Sequence, residues 1–287
     1  HWKKILFIQN NTKTCPVNLM CDLLKISKAT FYRSYTAKKD KKVKQKAITE
    51  LVIKIFNENR LSYGWRRIKV GLRKAHCINA SRRLIRRIMK DNFLISTYQE
   101  KNFKVSKRVA SEHQINNVLN REFNDRKEYE YVVSDLTYVR VNNAWNYVCL
   151  ITDLSNREII GWSVGANKSA NLVYEALLNI SVDLRKIRYF HVDQGSEFKN
   201  KTIDELLKTF EIERSFSHPG SPYDNAVAES LFSKAKIESL GGKVFKNIKE
   251  LEQEVFSYVW WYNNKRYHSS LNYRTPIEYK SVCLNKC

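Results

Sequence analysis

Apolar positions near the start of the chain recur at the spacing of an amphipathic helix. Residues 17–35 predict a short helix, a turn and a second helix with Ser27 as its N-cap. This order is typical of a helix-turn-helix segment, although ordinary helical proteins show it too. The like charges of residues 37–46 predict either an extended, solvated linker or the start of a solvated helix.

Residues 47–95 carry three apolar stripes with helical periodicity and predict three helices. The stripes are formed by Ile48, Leu51, Val52 and Ile55, by Trp65, Ile68, Val70 and Leu72, and by Leu84, Ile85, Ile88 and Met89. The polar, irregular residues that follow, 96–125, predict an interdomain linker.

The pattern changes near residue 127, where β-branched and aromatic runs alternate with turn residues. The predicted order is three strands, a helix, a strand, a helix, a strand and a long helix that begins near Asn225. The ranges are 129–141, 147–154, 158–164, 169–181, 188–193, 200–210 and 213–217. This order predicts a mixed α/β layer.

The formal net charge of +22 is concentrated in the amino-terminal part of the chain. Residues 1–110 contain 28 Lys and Arg against 6 Asp and Glu, whereas residues 111–287 contain 23 of each. A hydrophobic content of 43% excludes a disordered polycation. The asymmetry favours a region that binds a polyanion, with nucleic acid preferred to membrane surfaces or acidic proteins.

The third stripe of the helical region alternates with basic residues that have no acid between them. One face of this helix can pack while the other contacts DNA phosphates, although a merely solvated charged face has the same pattern. The basic residues that we expect to contact DNA here are Arg82, Arg83, Arg86, Arg87 and Lys90, with Arg66 and Arg67 on the preceding helix.

The six cysteines form no CxxC pair and lack the density of a disulfide scaffold, so reduced thiols are expected. No apolar run approaches the ~20 residues of a membrane span. We therefore expect a cytoplasmic protein without a membrane partner.

Three acids occupy positions that suggest chemistry. Asp135 lies inside the first predicted strand, Asp193 ends the fourth, and Glu229 lies near the start of the long helix. Carboxylates in such places are either structural acids bonded to local amides or metal ligands. From Asp135 to Asp193 there are 57 intervening residues, and from Asp193 to Glu229 there are 35.

This spacing resembles the D,D(35)E arrangement of transposases and retroviral integrases, and several segments resemble the IS-three family of bacterial insertion-sequence transposases. The segments are SDLTYV (134–139), HVDQGSEF (191–198), SPYDNAVAESLFSKAKIE (221–238) and YNNKRYHSSLNYRTP (262–276), with FYRSY and YGWRRIKVGLR before them. The resemblance covers nearly the whole chain.

The resemblance implies a ribonuclease-H-like catalytic core, a mixed five-stranded sheet with flanking helices, preceded by small all-helical DNA-binding modules. The expected domains are a helix-turn-helix-like segment, a basic three-helix module, a linker and the core. Their ranges are 1–40, 41–95, 96–125 and 126–287.

The resemblance also implies that the three acids hold two Mg²⁺ ions, for which Mn²⁺ can substitute. Asp135 would bridge both ions, Asp193 would bind one and Glu229 the other. Hard oxygen ligands suit Mg²⁺, and two such ions can assist an in-line phosphoryl displacement. The implied reaction is 3′-end cleavage and strand transfer of an insertion sequence.

Further residues follow from the same motifs. Lys236 lies two helical turns after Glu229, where the family carries a basic residue that holds DNA, and His218 in the loop 217–224 is expected to contact a phosphate. Arg266 and His268 are either DNA contacts or local structural ties. Asp224 and Asn225 are interpreted as helix caps, Asp153 as structural, Glu197 as a tempting fourth acid outside the metal set, and Trp260 and Trp261 as core residues.

The expected partners are double-stranded DNA, both transposon ends and target, and further copies of the chain. No long heptad run occurs, so the chain resembles the second-reading-frame product, with an upstream-frame protein as a further partner. Two alternatives stay open: a catalytically inactive, transposase-derived DNA-binding regulator, and a simple nuclease of the same fold.

Overall fold

The computed structural model describes residues 2–99, 127–217 and 225–284, with the side chains of residues 2, 35–42 and 284 excluded. The chain divides into two compact units. A helical unit comprises residues 1–58 and 68–94, and a second unit, named the catalytic unit after the catalytic core that the resemblance implies, comprises residues 59–67 and 95–287.

The helical unit contains five helices among the described residues. They are α1 (Trp2–Asn10), α2 (Val17–Leu23), α3 (Lys28–Glu58), α4 (Trp65–His76), whose first turn belongs to the catalytic unit, and α5 (Arg82–Asp91). Ser27 Oγ accepts the Thr30 N–H at 3.1 Å, as the N-cap prediction requires. Around this turn α1, α2 and α3 bury a small apolar cluster formed by Ile5, Ile8, Met20, Cys21, Ile26 and Phe31.

Helix α3 continues without a break through residues 37–46, so the expected extended linker is wrong and the helical alternative holds. Lys, Gln and Ala are good helix formers, and their propensity outweighs the repulsion of like charges along a solvated helix. A domain boundary between residues 40 and 41 would fall inside this helix.

The catalytic unit is built on a five-stranded sheet in the order β3-β2-β1-β4-β5. The strands are β1 (Tyr131–Val141), β2 (Ala144–Asp153), β3 (Ile159–Gly165), β4 (Tyr189–Val192) and β5 (Glu213–Phe216). β1, β2 and β3 pair antiparallel, whereas β4 pairs parallel to both β1 and β5. The helices are α6 (Ala170–Leu178), α7 (Lys201–Thr209), α8 (Ala226–Ala235), α9 (Ile248–Asn264) and α10 (Pro276–Leu284). The predicted fold class is confirmed.

Helices cover both faces of the sheet. α6 and α7 pack against Val132, Ile151 and Phe190 in the larger core, whereas α8 places Ala228 against Tyr131 and Val133 on the opposite face. Successive strand side chains point to opposite faces, which explains why Val132 and Val133 belong to different clusters. The continuous apolar run at the start of β1 therefore has two buried faces, whereas the alternating pattern at its end has one.

Two short segments that adjoin the helical unit in the sequence belong to the catalytic unit. Residues 59–67 and 95–99 are joined by a bond from the Thr97 N–H to the Leu61 carbonyl. Tyr63 Oη donates to the Lys265 carbonyl at 3.0 Å and accepts the Tyr267 N–H at 2.9 Å. These bonds explain why the two segments belong to the catalytic unit and not to the predicted 41–95 module.

The pair of tryptophans near the end of α9 divides between core and surface. Trp261 is 5% exposed and packs against Tyr258, whereas Trp260 is 52% exposed, so the core interpretation is wrong for Trp260. Adjacent helical residues point about 100° apart, and one packed face cannot hold both. None of the described helices is both long enough and apolar enough to cross a membrane.

Candidate active site and DNA contacts

Asp135 lies in the middle of β1. Because side chains alternate along a strand, it shares with Tyr131 and Val133 the face of the sheet that α8 covers. Its Oδ1 accepts the Leu136 N–H at 2.7 Å. Burial, the largest cause, and the charges of Asp193 and Glu229 together raise the pKa of this carboxyl to about 7.

Asp193 directly follows β4, which lies beside β1. The parallel register pairs Val133 with His191, so its continuation by two residues brings Asp193 beside Asp135. Asp193 Oδ1 accepts the Gly195 N–H at 3.0 Å, which forms the turn after the strand. Burial is the largest cause that raises the pKa of Asp193.

Glu229 lies in the first turn of α8 and is exposed. Burial and the charge of Asp193 raise its pKa. The helix is held on β1 by Ala228 in the apolar cluster and by Asn225 Nδ2, which donates to the Ser134 carbonyl at 3.3 Å. Asn225 occupies the N-cap position of α8, as predicted, although its side chain makes no capping bond there. Asp224 lies outside the described residues.

The fold thus brings the three predicted acids to one side of the sheet, within range of each other's charge. Within the described ranges, no three Asp, Glu, His or Cys side chains lie close enough to hold one metal ion together. The six oxygens of the set nevertheless match the ligand preference of Mg²⁺.

Glu197 is a fourth acid near the aspartates, and it is 4% exposed. Its Oε1 accepts a salt bridge from Lys168 at 2.8 Å, and its buried Oε2 has no hydrogen-bond partner in the described part of the chain. A Cβ at position 195 would lie 2.5 Å from Glu197 Oε1, so Gly195 makes room for this carboxylate. Glu197 stands in a motif segment of the sequence, whereas Lys168 is a loop lysine that no motif singles out.

Lys236 begins the π-helical turn Lys236–Leu240 that follows α8. Its ammonium group lies 4.5 Å from the centre of the exposed Tyr138 ring on β1. The half-buried lysine is therefore placed by a strand of the catalytic sheet as well as by its own helix. Its contact with DNA stays a prediction.

The basic residues expected to contact DNA differ in exposure. Arg82, Arg83, Arg86, Arg87 and Lys90 on α5 and Arg66 on α4 are all exposed. Arg67 is half-buried, and its guanidinium carbon lies 5.5 Å from the Tyr63 ring centre and 5.9 Å from that of Tyr98. His218 lies outside the described residues.

Arg266 does not belong with these surface cations, and its assignment as a DNA contact is corrected. The side chain is 1% exposed, and its Nε donates to both Glu238 oxygens at 2.9 and 2.8 Å. Tyr98 Oη donates to Glu238 at 2.5 Å, and Tyr258 Oη donates to it at 3.1 Å. A buried, paired guanidinium cannot reach a phosphate, so the structural alternative holds; His268, 4% exposed, lies in the same network.

Asp153, at the end of β2, is fully buried. It accepts the N–H groups of Tyr129 at 3.3 Å and Ser155 at 3.0 Å, and the Ser155 hydroxyl at 2.7 Å. Burial raises its pKa to about 6. These bonds agree with its interpretation as a structural acid that closes the β2–β3 turn.

Comparison with known proteins agrees with this geometry. Residues 125–222 and 211–276 match two families described as Integrase core domain, and residues 42–102 match the HTH-like domain family. The described parts of these ranges contain β1, β4 and α8, which carry the three acids.

Curated relatives align over nearly the whole chain. The InsK protein of insertion sequence element IS150 from Escherichia coli (strain K12) is 30% identical over 269 residues, 93% of this chain and 94% of that protein. The transposase InsF of insertion sequence IS3A, from the same organism, is 25% identical over 292 residues, 97% and 98% of the two chains.

Among solved structures, the chain is similar to the HTLV-2 integrase catalytic core domain in complex with magnesium. The TM-score is 0.38 at 15% identity, over 52% of this chain and 95% of that one. The relative at 30% identity, aligned over nearly its full length, shows the family. The chain belongs to the IS-three family of bacterial insertion-sequence transposases.

Proposed function

We propose that this DNA transposase cleaves the 3′ ends of its insertion sequence and joins them to other DNA strands. The observation that carries the proposal is the convergence of Asp135, Asp193 and Glu229 on one face of an integrase-core sheet. Each acid comes from a different element, β1, the end of β4 and α8, so only the folded catalytic unit assembles the set.

The chemical steps balance without a covalent protein–DNA intermediate. A water oxygen attacks a phosphorus at the transposon end, the bond to the 3′-oxygen breaks, and the flanking strand keeps the 5′-phosphate. The freed 3′-hydroxyl oxygen then attacks a phosphorus in another strand and displaces that strand's 3′-oxygen. In both steps the nucleophile loses its proton and the leaving oxygen gains one.

The three carboxylates fit a pair of divalent cations, Mg²⁺ with Mn²⁺ as a substitute. Excess negative charge in a cluster of acids is what such cations neutralise. Asp135, central in the sheet, would serve both ions, Asp193 one and Glu229 the other. Bound cations would supply Lewis-acid stabilisation of the charge on the attacking and leaving oxygens.

Other residues of the chain hold the DNA. Lys236, two turns after Glu229, would bind a phosphate of the strand that enters the acid cluster. The exposed arginines of α5 would bind the flanking duplex through its backbone, with affinity that falls steeply with salt. We assign transposon ends and target DNA as substrates, a homo-oligomer as the working assembly, and an upstream-frame protein as a further partner.

Strand transfer tests the catalytic assignment. Pre-cleaved oligonucleotide ends are incubated with supercoiled plasmid and Mg²⁺ or Mn²⁺, and joined products are counted. Asp135→Asn should reduce joining by roughly 10³-fold, because it removes a charged ligand from the reacting centre. Gel-shift affinity for the same ends should be retained.

The matched control is Asp183→Asn, which changes an exposed acid capping the 3₁₀ turn Leu184–Lys186 to another good cap. Its joining rate should equal that of the wild type. Substantial joining by Asp135→Asn, or joining by the wild type in the presence of excess EDTA, would contradict the metal assignment. Nicks without joined products would indicate a nuclease.

A further inference from the structure

Two half-buried cations of the catalytic unit have no acid paired with them. Arg67 lies in the first turn of α4, and Lys234 lies in the last turn of α8. Within the described ranges, neither side chain makes a hydrogen bond or an ion pair; Arg67 contacts only the faces of the Tyr63 and Tyr98 rings. The two charges are close enough to repel each other.

The acid nearest to them is already occupied. Glu238 lies four residues after Lys234, but its two oxygens accept from Arg266, Tyr98 and Tyr258. The side chains of Arg266 and Glu238 are 1% and 0% exposed, so this pair is complete and closed to solvent. Among the described residues, the charges of Arg67 and Lys234 are therefore an excess that no paired acid neutralises.

This excess is costly to the folded protein. Burial, the largest cause, and the charges of Arg266, Arg67 and Arg157 lower the pKa of Lys234 to about 8, and the charge of Glu238 opposes them. The pKa of nearby His268 is well below its usual value, so this imidazole adds no charge. A desolvated cation without an anion destabilises a fold and is typical of a binding site.

We propose that Arg67 and Lys234 together bind a backbone phosphate of DNA. The planar guanidinium presents paired donors that match phosphate oxygens, and the ammonium adds a point charge beside them. The proposal depends on the transposase function and not on the metal chemistry.

The site differs from the one expected at Lys236. Lys234 lies five residues after Glu229, about 7.5 Å along the helix axis and about 140° around it. A phosphate bound here would lie on a different side of the helix from Glu229 and Lys236. The DNA would thus touch two sides of the helix that carries the catalytic glutamate.

The first test measures affinity for a 20-base-pair duplex by fluorescence anisotropy at several salt concentrations. Lys234→Met and Arg67→Met should each weaken binding by about tenfold, as loss of a charged hydrogen bond implies. Each should also make the slope of log K against log salt shallower by about 0.9. The control Lys208→Met removes an exposed lysine of α7. Its affinity and its salt slope should both change less than those of Lys234→Met and Arg67→Met. Unchanged affinity and slope in both variants would overturn the proposal.

The second test separates binding from folding. Without DNA, Lys234→Met should have a Tm equal to or above that of the wild type, because the substitution removes a desolvated charge and keeps the apolar stem. A Tm several degrees lower would show that Lys234 stabilises the fold, and the proposal would be wrong.

The third test uses the pH dependence of binding. Because Lys234 loses its proton near pH 8 in the free protein, wild-type affinity should fall between pH 7 and pH 9. Lys234→Arg stays protonated and should show a flatter profile over the same range. Identical profiles for the two proteins would contradict the assignment of Lys234 to the phosphate.

Discussion

Two carboxylates on the same helical segment, Glu238 and Glu229, differ in how their charge is met. Glu238, in the π-helical turn, is buried and accepts four hydrogen bonds from Arg266, Tyr98 and Tyr258. Glu229, at the other end of α8, shares its side of the sheet with Asp135 and Asp193. In the described part of the chain, no cationic side chain forms an ion pair with these three acids.

The difference separates a structural acid from acids available for chemistry. A buried carboxylate is tolerated when the protein supplies its partners, as it does for Glu238. The acids around Asp135 instead raise one another's pKa, which is a cost that the fold alone does not relieve. A site that leaves charges unmet is typical of one that is completed by a ligand.

The largest expected effect comes from Glu229→Gln, which should reduce strand transfer by roughly 10³-fold. The free energy of unfolding should stay the same or rise, because the substitution removes repulsion with Asp193. Joined products and urea denaturation measure the two quantities. Glu205→Gln, an exposed position on α7, is the control. A marked loss of stability in Glu229→Gln would break the comparison, since it would make Glu229 structural.

The next effect is on stability. Arg266→Met leaves Glu238 buried without its cation and should lower the free energy of unfolding by about 3 kcal/mol. Urea denaturation measures the loss. The double variant Arg266→Met with Glu238→Leu should recover most of it, since no unpaired charge then remains. If the double variant did not recover the free energy of unfolding, Arg266 and Glu238 would stabilise the fold by more than neutralising each other's charge.

The smallest effect is expected from Tyr98→Phe, which removes one hydroxyl from between Glu238 and Arg266. Loss of this bond should cost about 1 kcal/mol of stability, because the ion pair itself remains. Tyr174→Phe, at a half-buried position on α6, should be nearly neutral. A loss as large as that of Arg266→Met would show that Tyr98, rather than the arginine, holds the network together.

Much of the fold could be predicted because local patterns and tertiary packing agree. Alternation along β1 and the helical stripes of α4 and α5 reflect faces that are buried in the structure. The charged stretch 37–46 was harder, since the same residues suit a solvated helix and a solvated linker. Only the neighbouring turns of α3 decide between them.

The sequence by itself determined in which elements the three acids lie and predicted that they carry the chemistry, because the spacing from Asp135 to Glu229 and its flanking motifs are typical of a family. Only the tertiary structure decided which charges are paired. Arg266 and Arg67 are both arginines in motif segments, yet one is sealed against Glu238 and the other has no paired acid in the described chain. Pairing depends on contacts between residues far apart in the sequence, such as Tyr98 and Arg266 at 168 positions apart, and no local pattern encodes them.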